Sequence, residues 1–170
     1  MYFYPAMNFV PRKYSPEMTK AKIELWCNKA ERAHQDVRKK LQLWGVPYTE
    51  RESLISELVQ MNLLNESRYA EAFTIDHFRF RGWGAIKIKM HLMKKGVSER
   101  NIADALKRIA PSEARAQLLE MAERKWTRVT GKTDYHRKQK LAASLLRKGF
   151  SSDDVWWCVN KISAAEEDVS

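Results

Sequence analysis

Apolar residues recur along most of this chain at the spacing of one helix face. Leu54, Leu58 and Met61 follow i, i+4, i+7, and Ile55 and Val59 widen that stripe. Tyr69 and Phe73 stand four apart; Ile102, Leu106 and Ile109 repeat the first spacing, as do Val155, Val159 and Ile162. No segment alternates apolar and polar residues with the period of two that a half-buried strand needs, so no sheet is expected. Proline, which disrupts a helix interior, occurs only at positions 5, 11, 16, 47 and 111. Long helical stretches fit between them.

The glycines turn this pattern into a repeat. Gly45, Gly96 and Gly149 lie 51 and 53 residues apart. Each ends a basic helical run and precedes an apolar residue, Val46, Val97 or Phe150. That is the signature of a helix closed by a residue with positive φ, with a hydrophobic contact back to the last turn. Four residues before each glycine stands Leu41, Leu92 or Leu145, and eight before stands Val37, Ile88 or Leu141. A start signal follows: Thr49-x-x-Glu52 and Ser151-x-x-Asp154 resemble capping boxes, and Ser98 is a good N-cap. Asn65 and Ser112 are expected to cap the first helices of the second and third units, and Ser15-Pro16 opens the first. The pattern therefore predicts an all-α chain of about nine helices, arranged as three tandem three-helix repeats. Their expected bounds are 16–64, 65–110 and 111–162, with an N-terminal segment 1–15 and an acidic tail 163–170. Units of this size have small cores, so they are expected to stack into an elongated, curved array. The competing arrangement is a single helical bundle with coincidental glycines, against which the matches at −8, −4 and +1 argue.

Composition narrows the class. The chain has 170 residues, 44% of them hydrophobic and 31% charged, which suits a folded chain rather than a disordered one. Two cysteines, Cys27 and Cys158, are too few for a disulfide framework and suit a reducing compartment. The longest apolar run is the five residues Val155–Val159, too short to span a bilayer. The first ten residues lack a basic region ahead of an apolar one and make a poor signal peptide. A cytoplasmic protein is expected.

Charge suggests partners. There are 31 Lys+Arg against 21 Asp+Glu, a formal net charge of +10, which favours polyanions. The cations are clustered: residues 77–98 hold six and no acid, and residues 124–152 hold nine with the single acid Asp134. A merely well-solvated basic protein would not need that clustering.

Catalytic constellations fail inspection. Thr130-Gly131-Lys132-Thr133 resembles the end of a phosphate loop, but the glycine that motif needs five residues earlier is Trp126. His34, His77, His91 and His136, with the two cysteines, show no metal-ligand spacing. The cysteines read as small core residues, and Trp156-Trp157 as core or inter-unit packing. Neither Glu50 with Glu52 nor Asp153 with Asp154 makes an acid/base pair; both pairs sit at helix starts, where they complement the dipole. No enzyme activity, cofactor or metal is expected.

The strongest local signal is the basic, aromatic stretch from His77 to Gly96, in which Arg79 and Arg81 alternate with Phe78, Phe80 and Trp83. Interleaved cations and rings suit a nucleic-acid strand, cations for phosphates and rings for base faces. The plainer alternative, preferred for most of the rings, places Phe73, Phe80 and Trp83 in the core. On the helix expected from about 85 to 95, Ile86, Ile88, Met90, Leu92 and Met93 cover one broad arc, and Lys87, His91 and Lys94 fall opposite. Lys89 lands within the apolar arc and is expected to snorkel past it. Relative to the glycines, Lys87, Lys94 and Lys95 match Lys140, Arg147 and Lys148; the first unit has Asp36, Leu43 and Trp44 instead. A basic stripe repeated on two units is expected.

Leu64-Asn-Glu-Ser-Arg-Tyr-Ala-Glu-Ala-Phe73, followed by Arg81-Gly-Trp-Gly-Ala-Ile-Lys-Ile-Lys-Met-His-Leu-Met-Lys-Lys-Gly-Val-Ser98, resembles the signature of the RecX family of recombinase regulators. The middle unit carries nearly the whole pattern; the outer units match through helix, glycine and spacing, so the resemblance covers about residues 18–162. The family commonly has Pro at the place of Ala85, Arg at Lys87 and Glu at His91, and the last change makes this face more positive than usual. The resemblance implies three tandem three-helix repeats that bind within the groove of the RecA–single-stranded DNA filament and inhibit its ATPase, strand-exchange and coprotease activities. The candidate filament- and DNA-binding residues are then Arg79, Arg81, Lys87, Lys89, His91, Lys94 and Lys95 of the second unit, and Arg137, Lys138, Lys140, Arg147 and Lys148 of the third. Partners are the RecA filament and single-stranded DNA, met directly or through the filament; the chain is expected to be monomeric and off the membrane. The alternative is a general nucleic-acid-binding helical repeat without recombinase specificity.

Overall fold

In the computed structural model residues 10–167 are described, and among them the chain forms nine α-helices and no strand. These are α1 (Pro16–Asn28), α2 (His34–Leu43), α3 (Tyr48–Gln60), α4 (Glu66–Arg79), α5 (Ala85–Lys94), α6 (Glu99–Leu106), α7 (Pro111–Trp126), α8 (Asp134–Leu146) and α9 (Ser152–Glu167). The chain divides into two units. One holds the residues up to Tyr69 together with Lys95–Val97; the other holds Ala70–Lys94 and the residues from Ser98 on.

The helix starts are built largely from local side chains. Ser15 accepts from the Met18 N–H with Pro16 in the first helical turn, and Ser98 accepts from the Asn101 N–H. The Asn65 side chain accepts from the Arg68 N–H. At α9 the Ser151 hydroxyl accepts from the Asp154 N–H and donates to the Asp154 carboxylate at 2.6 Å. That hydroxyl, seconded by Arg115, holds the Asp154 carboxyl below its ordinary pKa. Thr133, part of the abortive phosphate-loop match, is the N-cap of α8.

Two expected caps are not used. α3 starts at Tyr48 with Pro47 as its N-cap, so Thr49 falls inside the first turn and Glu52 just beyond it. Glu52 instead makes a two-point ion pair with Arg38, at 2.7 and 2.9 Å. At α7, Pro111 opens the helix and Ala110 precedes it as N-cap, which leaves Ser112 two positions too late. In both cases proline sets the boundary, because its fixed φ is preorganised for the helix edge.

The three turn glycines behave as the spacing predicts. Gly45, Gly96 and Gly149 have φ of +71°, +74° and +89°. The matched apolar positions are fully buried: Val37, Leu41, Ile88, Leu92, Leu141 and Leu145 are each 0% exposed. Val46, Val97 and Phe150 are buried behind them. In the first unit Ile23, Cys27, Leu54, Leu58 and Leu64 complete the core. In the second, Leu118, Ala122, Trp126, Val155, Cys158 and Val159 do so, with Trp156 packed against them. Both cysteines are free and buried, and burial pushes the Cys158 thiol up to about 11. Trp157, by contrast, is 44% exposed.

Two of these turns are covered by backbone. The Gly84 N–H donates to the Lys148 carbonyl at 2.8 Å, and the Ile86 N–H to the Gly149 carbonyl at 3.0 Å. The end of α8 thus abuts the start of α5, carbonyls against free amides, as helix dipoles favour. Within the first unit, the Lys13 N–H donates to the Trp44 carbonyl at 2.9 Å. At Gly96, by contrast, nothing lies within 4 Å of where a Cβ would sit.

Candidate functional site

The motif residues that opened the resemblance mostly hold the fold. Arg68 reaches Glu31 at 2.7 Å and the Asn62 carbonyl at 2.8 Å. The second contact fastens a turn in which Asn62 has a φ of +55°. Tyr69 and Ala70 are buried, and burial pushes the Tyr69 phenol up to about 12.

In the second unit, the chain leaving α4 builds a groove. α4 ends at Arg79 and the backbone turns at Gly82, where φ is +62°. Between them Phe80 is thrown outward, 81% exposed, while Phe78 is 3% exposed in the core. The expectation that Phe80 belongs to the core is therefore wrong: the two rings lie on different sides of the helix end, and Phe78 takes the inward one. Arg79, Phe80 and Arg81 form one wall of a groove, and Arg124, Lys125 and Lys148 contribute cations to the rest. A second hollow shares Arg124 and Lys125 and continues to Arg128. Three acids temper this charge: Glu113 lies 3.5 Å from Arg79, Asp76 3.9 Å from Arg81, and Glu120 3.5 Å from Arg124.

The floor is rigid. Lys148 Nζ donates to the Arg81 carbonyl at 3.1 Å, the Gln117 amide donates to the Phe78 carbonyl at 2.7 Å, and Lys125 donates to the Ser144 hydroxyl. Such an arrangement can bind a phosphodiester strand by ion pairing and offer Phe80 to a base. Among the described residues no group of three or more His, Cys, Asp or Glu could hold a metal ion, and no helix is long and apolar enough to cross a membrane.

The α5 stripe differs from its helical-wheel projection. Trp83 folds back over the helix: His91 lies 4.6 Å from its ring, His77 4.5 Å, and Lys87 Nζ 4.4 Å above it. Phe73 stacks on His77 at 3.7 Å. Lys87 and His91 are consequently half-buried, and Lys94 alone of that stripe is exposed. On the supposed apolar arc only Ile88 and Leu92 are buried; Ile86, Met90 and Met93 are 50%, 52% and 51% exposed, and Lys89 is exposed beside them.

The remaining expected cations have mixed surroundings. Lys95 pairs with Asp36 at 2.7 Å in the first unit. Arg137 stacks 4.0 Å over Trp126 and reaches Asp134 at 3.3 Å. Lys140 donates to the Thr130 carbonyl at 2.7 Å. Lys138 is half-buried and Arg147 exposed. Arg79, Arg81 and Lys148 share the groove, whereas Lys87 and His91 share the Trp83 ring. Arg124, Lys125 and Arg128 were not among the residues expected, although they open the nine-cation run of 124–152. Their place in that run was the available signal.

Comparison with known proteins places these features. A model of the RecX second three-helix domain matches residues 65–106, and one of the RecX third three-helix domain matches residues 113–159. The regulatory protein RecX of Clostridium perfringens (strain SM101 / Type A) is 34% identical over 136 residues, 79% of this chain and 61% of that protein. That of Limosilactobacillus reuteri (strain DSM 20016) is 33% identical over 124 residues, 71% of this chain and 46% of that one. This chain thus matches about half to three-fifths of the length of these relatives. The crystal structure of RecX from Lactobacillus salivarius superposes with a TM-score of 0.76 over 87% of this chain and 96% of that one, at 22% identity, a likeness of fold. A second crystal structure, of regulatory protein RecX, gives a TM-score of 0.74 at 25% identity, covering 84% and 72%. With two consecutive domain models on its second and third repeats, and the same helical array, this chain belongs to the RecX family of regulatory proteins.

Proposed function

We propose that this chain regulates recombination and the DNA-damage response by binding the RecA–single-stranded DNA filament and inhibiting its ATPase, strand-exchange and coprotease activities. The observation that carries this beyond family membership is the cationic groove around the 81% exposed ring of Phe80. A surface built that way suits a strand whose phosphates and bases alternate. Regulation of this kind needs no bond-making by the chain: a ligand that binds one filament state better than another shifts the population between them. The repeats act at bounds of 16–64, 65–110 and 111–162. The chain acts as a cytoplasmic monomer, with Arg79, Arg81, Lys148 and the exposed Lys94 and Arg147 among its contacts.

The test is ATP hydrolysis by RecA on single-stranded DNA, titrated with this chain. Hydrolysis should fall as the ratio of chain to RecA approaches one. A second reading, a general nucleic-acid binder, draws on the same groove. It predicts binding to naked DNA with a steep salt dependence and no effect on the ATPase at any ratio.

A further inference from the structure

The outward face of α5 carries three large apolar side chains that the repeat does not require. Ile86, Met90 and Met93 stand ten, six and three residues before Gly96. They are 50%, 52% and 51% exposed. The other repeats provide an internal control. At the same three offsets before Gly45 stand Gln35, Lys39 and Gln42; before Gly149 stand Gln139, Ala143 and Leu146. All six are exposed. The position is therefore on the surface in every repeat, and the first repeat fills it with polar residues alone. In the third, Leu146 is the one large apolar side chain, at 40% exposure. Folding does not account for an Ile-Met-Met ridge on the middle repeat.

The border of the ridge is cationic. Lys89 and Lys94 are exposed on the same helix, and the whole run 77–98 contains no acid. We propose that this ridge is a protein-docking surface, whose occupant is a protein face with an apolar hollow edged by carboxylates. Methionine suits that role, because an unbranched, polarizable side chain adapts to an irregular hollow. Nucleic acid fits it poorly: isoleucine and methionine offer no plane for a base to stack on, and phosphates gain nothing from apolar neighbours. The inference deepens the regulatory function proposed above and rests on it, assigning α5 to the protein component of the filament and the Phe80 groove to the strand.

The test transplants the first repeat's residues: Ile86→Gln, Met90→Lys and Met93→Gln together. All three replacements are good helix formers at half-exposed sites, so α5 should persist. Met90→Lys alone carries the same comparison should the triple variant lose helicity by circular dichroism. The change adds one positive charge, so electrostatic attraction to DNA cannot fall. Affinity for the RecA–single-stranded DNA filament should drop about tenfold or more, while affinity for naked single-stranded DNA stays level or rises. Unchanged filament affinity in the variant would overturn the proposal, as would a parallel loss on naked DNA. So would sedimentation showing a wild-type dimer that the variant returns to monomer, because the occupant would then be a second copy. Absence of any filament binding by the wild-type chain is a different result: it refutes the regulatory function itself, and this inference with it.

Discussion

Replacing Gly149 by alanine separates two costs that the three turn glycines share unequally. Every one of them has positive φ, where an L side chain costs roughly 1–2 kcal/mol. At Gly96 that is the whole cost, because a Cβ meets nothing within 4 Å. At Gly149 a Cβ would stand 2.3 Å from Lys87 Cβ and 2.5 Å from the Lys87 backbone nitrogen. Neither is the free end of a flexible side chain, so α5 itself must move. Forcing an extra carbon into packed structure costs typically about 1–3 kcal/mol. The movement also strains the Gly84 and Ile86 hydrogen bonds to the end of α8, each worth about 0.5–1.5 kcal/mol net. Gly149→Ala should therefore destabilise by about 3 kcal/mol or more, and Gly96→Ala by about 1 to 2 kcal/mol. Gly45→Ala is expected between them: its Cβ would meet the Pro11 carbonyl oxygen at 2.4 Å, on a segment that precedes α1 and can yield more readily. Urea unfolding followed by far-ultraviolet circular dichroism measures all three. Equal costs at positions 149 and 96 would refute the reasoning, since backbone conformation alone would then set the cost and the α8–α5 abutment would carry no rigidity.

Phe80→Ala should leave the thermal midpoint nearly unchanged, because the ring is 81% exposed, yet weaken binding to naked single-stranded DNA about tenfold by removing a stacking plane. Lys94→Glu with Arg147→Glu, both exposed, should weaken filament binding more than Lys22→Glu with Lys161→Glu, which changes charge equally elsewhere; equal losses would mean that net charge alone matters. Stability should also fall as pH drops below about 6.5, the ordinary histidine value. Burial, reinforced by Arg38 and opposed by Glu66, lowers the His34 pKa, so the unfolded chain takes up a proton that the folded chain refuses until a lower pH. His34→Gln should flatten that slope in urea midpoints measured across the window.

The repeat was legible because its constraints write residue identity directly. A turn with positive φ selects glycine, and a fully buried helix face selects leucine, isoleucine or valine, so Gly45, Gly96 and Gly149 with Leu41, Leu92 and Leu145 could be aligned from spacing alone. The caps were half legible. Ser98, Asn65 and Ser151 act as their residue types suggest, but Pro47 and Pro111 moved two helix starts, and a proline's preference for the helix edge outweighed a nearby Ser or Thr. The surface was harder to read because a helical wheel contains no neighbours. Trp83, outside α5 in sequence, folds over Lys87 and His91. No projection of residues 85 to 95 could have placed it there.

The same limit hides the difference between Ile86, Met90 and Met93 and their arc neighbours Ile88 and Leu92, because a wide apolar arc looks like a wide buried face. The sequence nevertheless held that difference. The offsets that identified the repeat, when applied to the remaining positions of the helix, put Gln35, Lys39 and Gln42 where α5 has its ridge. A position that one repeat fills with glutamine and lysine is a surface position in its counterpart, provided the two helices keep one register against the turn glycine, and α2 and α5 each run from eleven to two residues before theirs. The divergence between repeats is therefore more informative about function than their agreement. Agreement at −8, −4 and +1 reports what any such unit needs to fold, whereas the apolar residues present on the middle repeat at −10, −6 and −3 need another explanation, and an apolar partner supplies one.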